Sequence, residues 1–231
     1  MLRGAAIVCL LAGCDVVWRL DDVHGEVAVD ARSDAPGSCA FVDDFTGTMR
    51  KQQWDVIIDD PRIMIAQANM TIIDAAANID TNAETYLRLI ERQTLAVGDH
   101  VDVEIPQATN TDNGQVETSL LVGQNPQNGY VIDVSQTFLE FYSRVASVGT
   151  LASTRMYEPA AHRWWRLTHG PGELDVTFYT SVDGHDWFGQ KTVTMATPLV
   201  DVEVVLLVGS YNGGASLPTR AIFDNFSICG P

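Results

Sequence analysis

One short stretch carries residue types that could do hydrolytic chemistry: His100-Val101-Asp102-Val103-Glu104. Side chains alternate along a β-strand, so His100, Asp102 and Glu104 would share one face while Val101 and Val103 point to the other. Paired carboxylates about 5 Å apart are what retaining glycoside hydrolysis requires, one as nucleophile and one as acid and then base. The plainer reading is a solvent-facing polar stripe on an ordinary strand. A second set is aromatic: Tyr86, Tyr142, Trp164, Trp165 and Tyr211. A pyranose presents a CH-rich face that stacks on an indole or phenol ring, with nearby polar groups taking its hydroxyls. Trp164 and Trp165 are neighbours, so on a regular strand at most one of them faces solvent. Trp164 would share its face with Arg166, and Trp165 with Leu167. Core packing competes with stacking for each of these rings. Hard oxygen ligands around Asp112 and Asn113 could take calcium, but such loop residues usually only turn, and no metal or other cofactor is expected. No Gly-x-Ser-x-Gly, His-Glu-x-x-His or phosphate-binding glycine loop occurs.

The elements that must position these residues read as strands. Glu84 to Ile90 alternates, with Thr85, Leu87 and Leu89 on one face. His100 to Ile105 alternates with Val101, Val103 and Ile105 inward, and Glu173 to Tyr179 with Leu174, Val176 and Phe178 inward. Similar runs recur along the chain, roughly fifteen in all, separated by turn signals such as Asn125-Pro126-Gln127-Asn128-Gly129, Asp183-Gly184 and Asn212-Gly213-Gly214. Asp183-Gly184 reads as a tight hairpin, with Trp187 capping the core. That density of short strands predicts an all-β, two-sheet sandwich, with residues 39–231 forming one domain.

The termini of that domain are alike. Cys39-Ala40-Phe41-Val42-Asp43-Asp44-Phe45 and Phe223-Asp224-Asn225-Phe226-Ser227-Ile228-Cys229 each hold two Phe residues, small polar residues between them, and a Cys. They are expected to pair as neighbouring antiparallel strands. A register that opposes Cys39 to Cys229 sets Phe41 against Ser227, Asp43 against Asn225 and Phe45 against Phe223. In an exported chain the two cysteines are best read as a disulfide. The bridge is expected to lie away from the sheet centre and from any ligand site.

Export is itself an expectation from sequence. Arg3 is followed by a short apolar run from Gly4 to Gly13. Ten helical residues span roughly 15 Å, half a bilayer core, which suits a signal peptide rather than a membrane span. Leu11-Ala12-Gly13-Cys14 resembles the lipobox of bacterial lipoproteins, which implies that residues 1–13 are removed and that Cys14 is lipidated. The chain would then be anchored at the cell envelope or cell surface. Residues 14–38 are acidic, with Asp21, Asp22, Glu26, Asp30 and Asp34 before Ala35-Pro36-Gly37-Ser38, and read as a tether that cannot bury enough apolar surface to order itself. The whole chain has 30 acidic against 14 basic residues, a net charge of -16. That balance excludes a nucleic-acid partner, which needs clustered Lys and Arg to displace counterions.

Three segments, in order, resemble concanavalin A-like lectin/glucanase domains: Asp43-Asp44-Phe45 with Trp54; Trp164-Trp165-Arg166-Leu167 with Val176 to Trp187; and Val208-Gly209-Ser210-Tyr211 with Phe223 to Ile228. The resemblance implies a jelly roll of two curved antiparallel sheets with first and last strands adjacent. Glucanases of this kind carry a Glu-x-Asp-x-Glu strand motif. Here His100 stands where the nucleophile would be, and imidazole is a poor substitute for a nucleophilic carboxylate. The resemblance therefore implies a lectin-like carbohydrate binder without catalysis. The alternatives are a structural or adhesion protein that uses the sandwich for protein contacts, and a divergent glycoside hydrolase.

Overall fold

The structure, a computed structural model, describes residues 38–58, 60–75, 83–109, 114–215 and 218–231. Cys14 with its lipobox, the tether to residue 37, and Asp112 with Asn113 lie outside the described residues. Fifteen strands and no helix are found among the described residues. In chain order they are β1 (Cys39–Asp43), β2 (Trp54–Ile58), β3 (Ile63–Gln67), β4 (Thr71–Ala75), β5 (Glu84–Leu89), β6 (His100–Gln107), β7 (Gly114–Asn125) and β8 (Asn128–Ser135). There follow β9 (Phe138–Val145), β10 (Val148–Met156), β11 (Trp164–His169), β12 (Asp175–Ser181), β13 (Trp187–Thr194), β14 (Glu203–Ala215) and β15 (Thr219–Cys229).

They form two antiparallel sheets. The first runs β13-β12-β11-β6-β15-β4-β3, with β1 also paired to β15, and the second runs β10-β9-β8-β7-β14-β5-β2. The predicted alternation places the core between them. Val101, Val103 and Ile105 of β6 are almost fully buried, as are Leu87 and Leu89 of β5 in the other sheet, within the same apolar cluster. Each such side chain removed from water stabilises the sandwich by about 1.5–3 kcal/mol. Leu174 breaks the expected pattern. It is 64% exposed, because β12 starts one residue later and Leu174 belongs to the preceding turn. The Asn212-Gly213-Gly214 signal also differs: those residues fall within β14, where the ladder to β7 is irregular between Ser210 and Ala215.

First and last strands are adjacent, and Cys39 and Cys229 are disulfide-bonded across 190 residues. The register beyond the bridge is not the expected one. A bulge between Cys39 and Phe41 shifts the ladder, so that Phe41 opposes Ile228 and Asp43 opposes Phe226. The extra residue lets Phe41 pack against the rings of Trp54 and Phe226, at 5.7 and 5.9 Å between centroids. Phe45 lies past the strand with φ 48°, buried against Trp54 rather than opposite Phe223. Asp43 is buried and fixes this corner: it accepts from the Trp54 indole N–H at 2.8 Å and from the Phe45 backbone N–H at 2.9 Å.

The bridge lies at the end of its strands, as expected, but on an interior strand of the sheet and next to the candidate site. β15 lies directly beside β6, and Cys229 is the partner of His100 in that ladder.

Candidate functional site

The outer face of the first sheet gathers most of the chemistry. Registers put Asp224, Glu104, Trp164, Ser181 and Trp187 in one row across β15, β6, β11, β12 and β13. The next row holds Ser227, Asp102, Arg166, Tyr179 and Gly189, and the third begins with Cys229, His100 and Thr168. Sequence alternation alone puts His100, Asp102 and Glu104 on this face, because their neighbours Val101, Val103 and Ile105 are needed in the core.

These three side chains are not a solvated stripe. His100, Asp102 and Glu104 are only 9%, 7% and 5% exposed. Arg166 forms a bidentate pair with Asp102, Nε to Oδ1 and Nη2 to Oδ2, both at 2.7 Å. The His100 Nε2 lies 3.7 Å from Asp102 Oδ2. Glu104 accepts from Arg163 Nε on one oxygen and from Asn225 Nδ2 on the other. Buried charges are tolerated when they are paired and hydrogen-bonded in this way, and removing one partner is costly.

That arrangement limits what the carboxylates can do. A general acid needs a proton on an oxygen aimed at the leaving group. Both Glu104 oxygens already face N–H donors, and both Asp102 oxygens face one guanidinium. The imidazole at position 100 completes no nucleophile pair. Asp224, opposite Glu104, is the remaining acid beside it. Burial raises its pKa, offset in part by the backbone N–H of Asn225 that its carboxylate accepts.

Asn225 owes its position to a bulge. The β15–β6 ladder is irregular between Asp224 and Ser227, and Asn225 has φ 44°, the left-handed region that Asn tolerates better than most residues. That kink carries its amide onto Glu104. No alternation pattern reveals such a residue; the only signal in the sequence is a polar Asp-Asn pair interrupting an apolar strand.

Of the five expected aromatics, only Trp164 falls at this site with its side chain described on the outer face. It is half-buried, and the Asp183-Gly184 turn closes over its ring: a Cβ added to Gly184 would stand 2.9 Å from the indole. Gly184 has φ +79°, so both space and backbone call for glycine there. Asp183 shapes the turn by accepting from the backbone N–H groups of His185 and Asp186, which lower its pKa to about 2. Trp165 is corrected: it is fully buried, with its indole N–H donated to the His162 carbonyl, so it is a core residue. Trp187 does not cap the core. It lies on the outer face, with the Arg166 guanidinium 4.0 Å from its ring centroid. Tyr179, beside Arg166, is a second ring the sequence reading missed. Strand alternation with Phe178 inward would have found it.

Tyr86 and Tyr142 are on the other sheet. They pack beside Leu121, Val131, Val205 and Leu207 on its outer side, and Tyr142 carries the Arg144 guanidinium at 5.5 Å. They cannot act with Trp164. Tyr211 is in β14, but its side chain lies outside the described residues. Among the described residues no cluster of three or more His, Cys, Asp or Glu is placed to hold a metal ion.

No protein-family model matches the chain, and no curated protein matches its sequence. Solved structures match its fold. A glycosyl hydrolase family protein from Mycobacterium fortuitum is 13% identical, over 83% of this chain and 99% of that one, with a TM-score of 0.60. A β-1,3-glucanase from Mycobacterium marinum is 14% identical, over 84% and 99%, with a TM-score of 0.59. An immunostimulatory antigen and pseudo β-1,3-glucanase of Mycobacterium tuberculosis is 15% identical, over 84% and 100%, with a TM-score of 0.57. The chain thus has the glucanase-like sandwich fold, and at these identities the likeness concerns the fold alone.

Proposed function

We propose that this chain is an exported lipoprotein, anchored to the membrane through Cys14, whose sandwich domain binds carbohydrate on the outer face of the first sheet without hydrolysing it. One observation supports the non-catalytic reading above the rest: Asp102 and Glu104 are each committed to an arginine, with His100 in the nucleophile's place. Tyr179 and the part of the Trp164 indole that the Asp183-Gly184 turn leaves open offer ring surface for a sugar face, and Arg163 and Asp224 at the edge of these pairs offer a donor and an acceptor for hydroxyls. The neighbours' descriptions as β-1,3-glucanase and pseudo β-1,3-glucanase make a neutral β-glucan the first ligand to test.

The test is a glycan array with residues 39–231, followed by titration of any hit against Trp164→Ala. Binding that falls at least tenfold in the variant, with no reducing sugar released by the parent, is the expected result. Release that disappears in Glu104→Ala would instead make this a glycoside hydrolase. A folded domain that binds no glycan would leave the sandwich as a surface for protein contacts.

A further inference from the structure

We infer that the end of the sandwich beside Glu104 holds a second saccharide pocket, for one neutral sugar residue. The inference rests on the carbohydrate-binding reading above. Two residues past Glu104 on the same strand face stands Pro106, and it opens a cavity of about 330 Å³. Pro106, Gln107 and Thr109 come from the end of β6 and the residues after it, and Thr137 from the β8–β9 turn. Met156 ends β10, and Tyr157 begins the segment that leads to β11. Both sheets therefore contribute, and the volume lies at the lower end of those of small-ligand sites.

The chemistry of the wall selects the ligand class. None of the lining residues is charged, in a chain of net charge -16. An ionic ligand would find no counter-charge there, whereas a neutral one loses nothing. Proline rings, a thioether and a phenol ring supply CH and π surface for the apolar side of a pyranose. Polar groups line it as well: Thr137 is half-buried, and the exposed Gln107 amide makes a long 3.5 Å contact with the Arg220 carbonyl. Tyr157 is held by stacking on His162, at 6.0 Å, while its hydroxyl is buried with no partner among the described residues. The Tyr157 side chain is thus held by a ring contact, while its backbone N–H donates to the Thr137 carbonyl at 2.8 Å and ties two sides of the wall together.

The same segment reaches the first site. Tyr157 and Pro159 line the pocket, and four residues beyond Pro159 stands Arg163, which binds Glu104.

The experiment uses residues 39–231 with methyl-labelled methionine and labelled tryptophan. The probes are neutral disaccharides of gluco, manno, galacto and N-acetylglucosamine type, each at millimolar concentration. The Met156 methyl reports the pocket, the Trp164 indole N–H reports the outer face, and Met64 on the remote β3 is the control. A saturable shift at Met156 with at least one disaccharide, lost in Pro159→Trp, which blocks the exposed mouth without touching the core, is the expected result. Shifts at Trp164 alone overturn the pocket and leave the first site standing. Shifts at Met156 alone uphold the pocket and count against the first site. No shift at either overturns both, and a shift that survives Pro159→Trp overturns the pocket.

Discussion

Arg166 is the residue on which the site's chemistry turns. Its guanidinium lies between Asp102, which it holds by two hydrogen bonds, and the ring of Trp187, which it covers. Arg166 and Asp102 are largely buried, so neither charge has water as a substitute partner. Arg166→Ala should leave Asp102 uncompensated and destabilise the domain by about 3 kcal/mol, read from chemical denaturation. Arg166→Lys should recover only part of this, because an ammonium cannot reproduce the bidentate fork. If Arg166→Ala unfolds at the same denaturant concentration as the parent, the pair is not structural and the carboxylate is less committed than its geometry indicates. The sequence showed Asp102 and Arg166 as members of two strands. It could not show that those strands are neighbours, which is what pairs them.

At the scale of elements, the second sheet carries a titratable feature on its outer side. Glu117 of β7 and Glu84 of β5 flank Gly209 of β14, and a Cβ there would stand 3.0 Å from a Glu117 oxygen. Asp133 of β8 is buried nearby and accepts from the Ser119 hydroxyl at 2.9 Å. Burial first, and then the charge of Glu84, raises the Glu117 carboxyl from 4.5 to about 7. The folded state therefore holds this proton more tightly than the unfolded chain does. Stability from this group is fully present below pH about 4.5 and is lost as pH rises to about 7, by on the order of 1–3 kcal/mol. Unfolding free energies measured across that window should fall with pH, and Glu117→Gln should flatten the slope; an unchanged slope in the variant would assign it to other groups. Asp183, held at about 2, acts in the opposite sense and only below pH about 4. Alternation revealed the strands themselves, since a half-buried ribbon must repeat every two residues: Val101, Val103 and Ile105 face inward as read. What it missed lies where the period breaks. The bulges after Cys39 and at Asp224–Asn225 each add a residue to one strand only. They moved Phe41, Asp43 and Asn225 from the expected register, and the period-two alternation of a single strand does not encode them.

At the scale of the whole molecule, one proposed and one observed modification at cysteine each make a prediction. The proposed lipid on Cys14 should appear as a diacylglyceryl adduct in mass spectra of the mature protein; cleavage elsewhere, or an unmodified Cys14, would remove the membrane from this account. The Cys39–Cys229 bridge is the deeper structural matter, because it closes the end of a strand that lies inside a sheet rather than at its edge. It ties β1, a five-residue strand whose ladder is to β15 alone, to the last residue of that strand. Cys229 is in turn the ladder partner of His100. Replacing both cysteines by serine should cost a few kcal/mol, against a chain-entropy ceiling of about 5 kcal/mol for a loop of this length. The loss should not be uniform. With β1 released, the end of β15 frays, so backbone amides at His100 and Val101 should exchange with solvent faster, while those near Ile105 at the other end of β6 keep their protection. Hydrogen exchange on the double variant separates this from a purely denatured-state effect, which would lower global stability and leave the gradient along β6 unchanged. A gradient toward His100 would mean that an oxidised bridge is needed to hold the first residue of the candidate site in place, and that reducing conditions weaken the site before they unfold the protein.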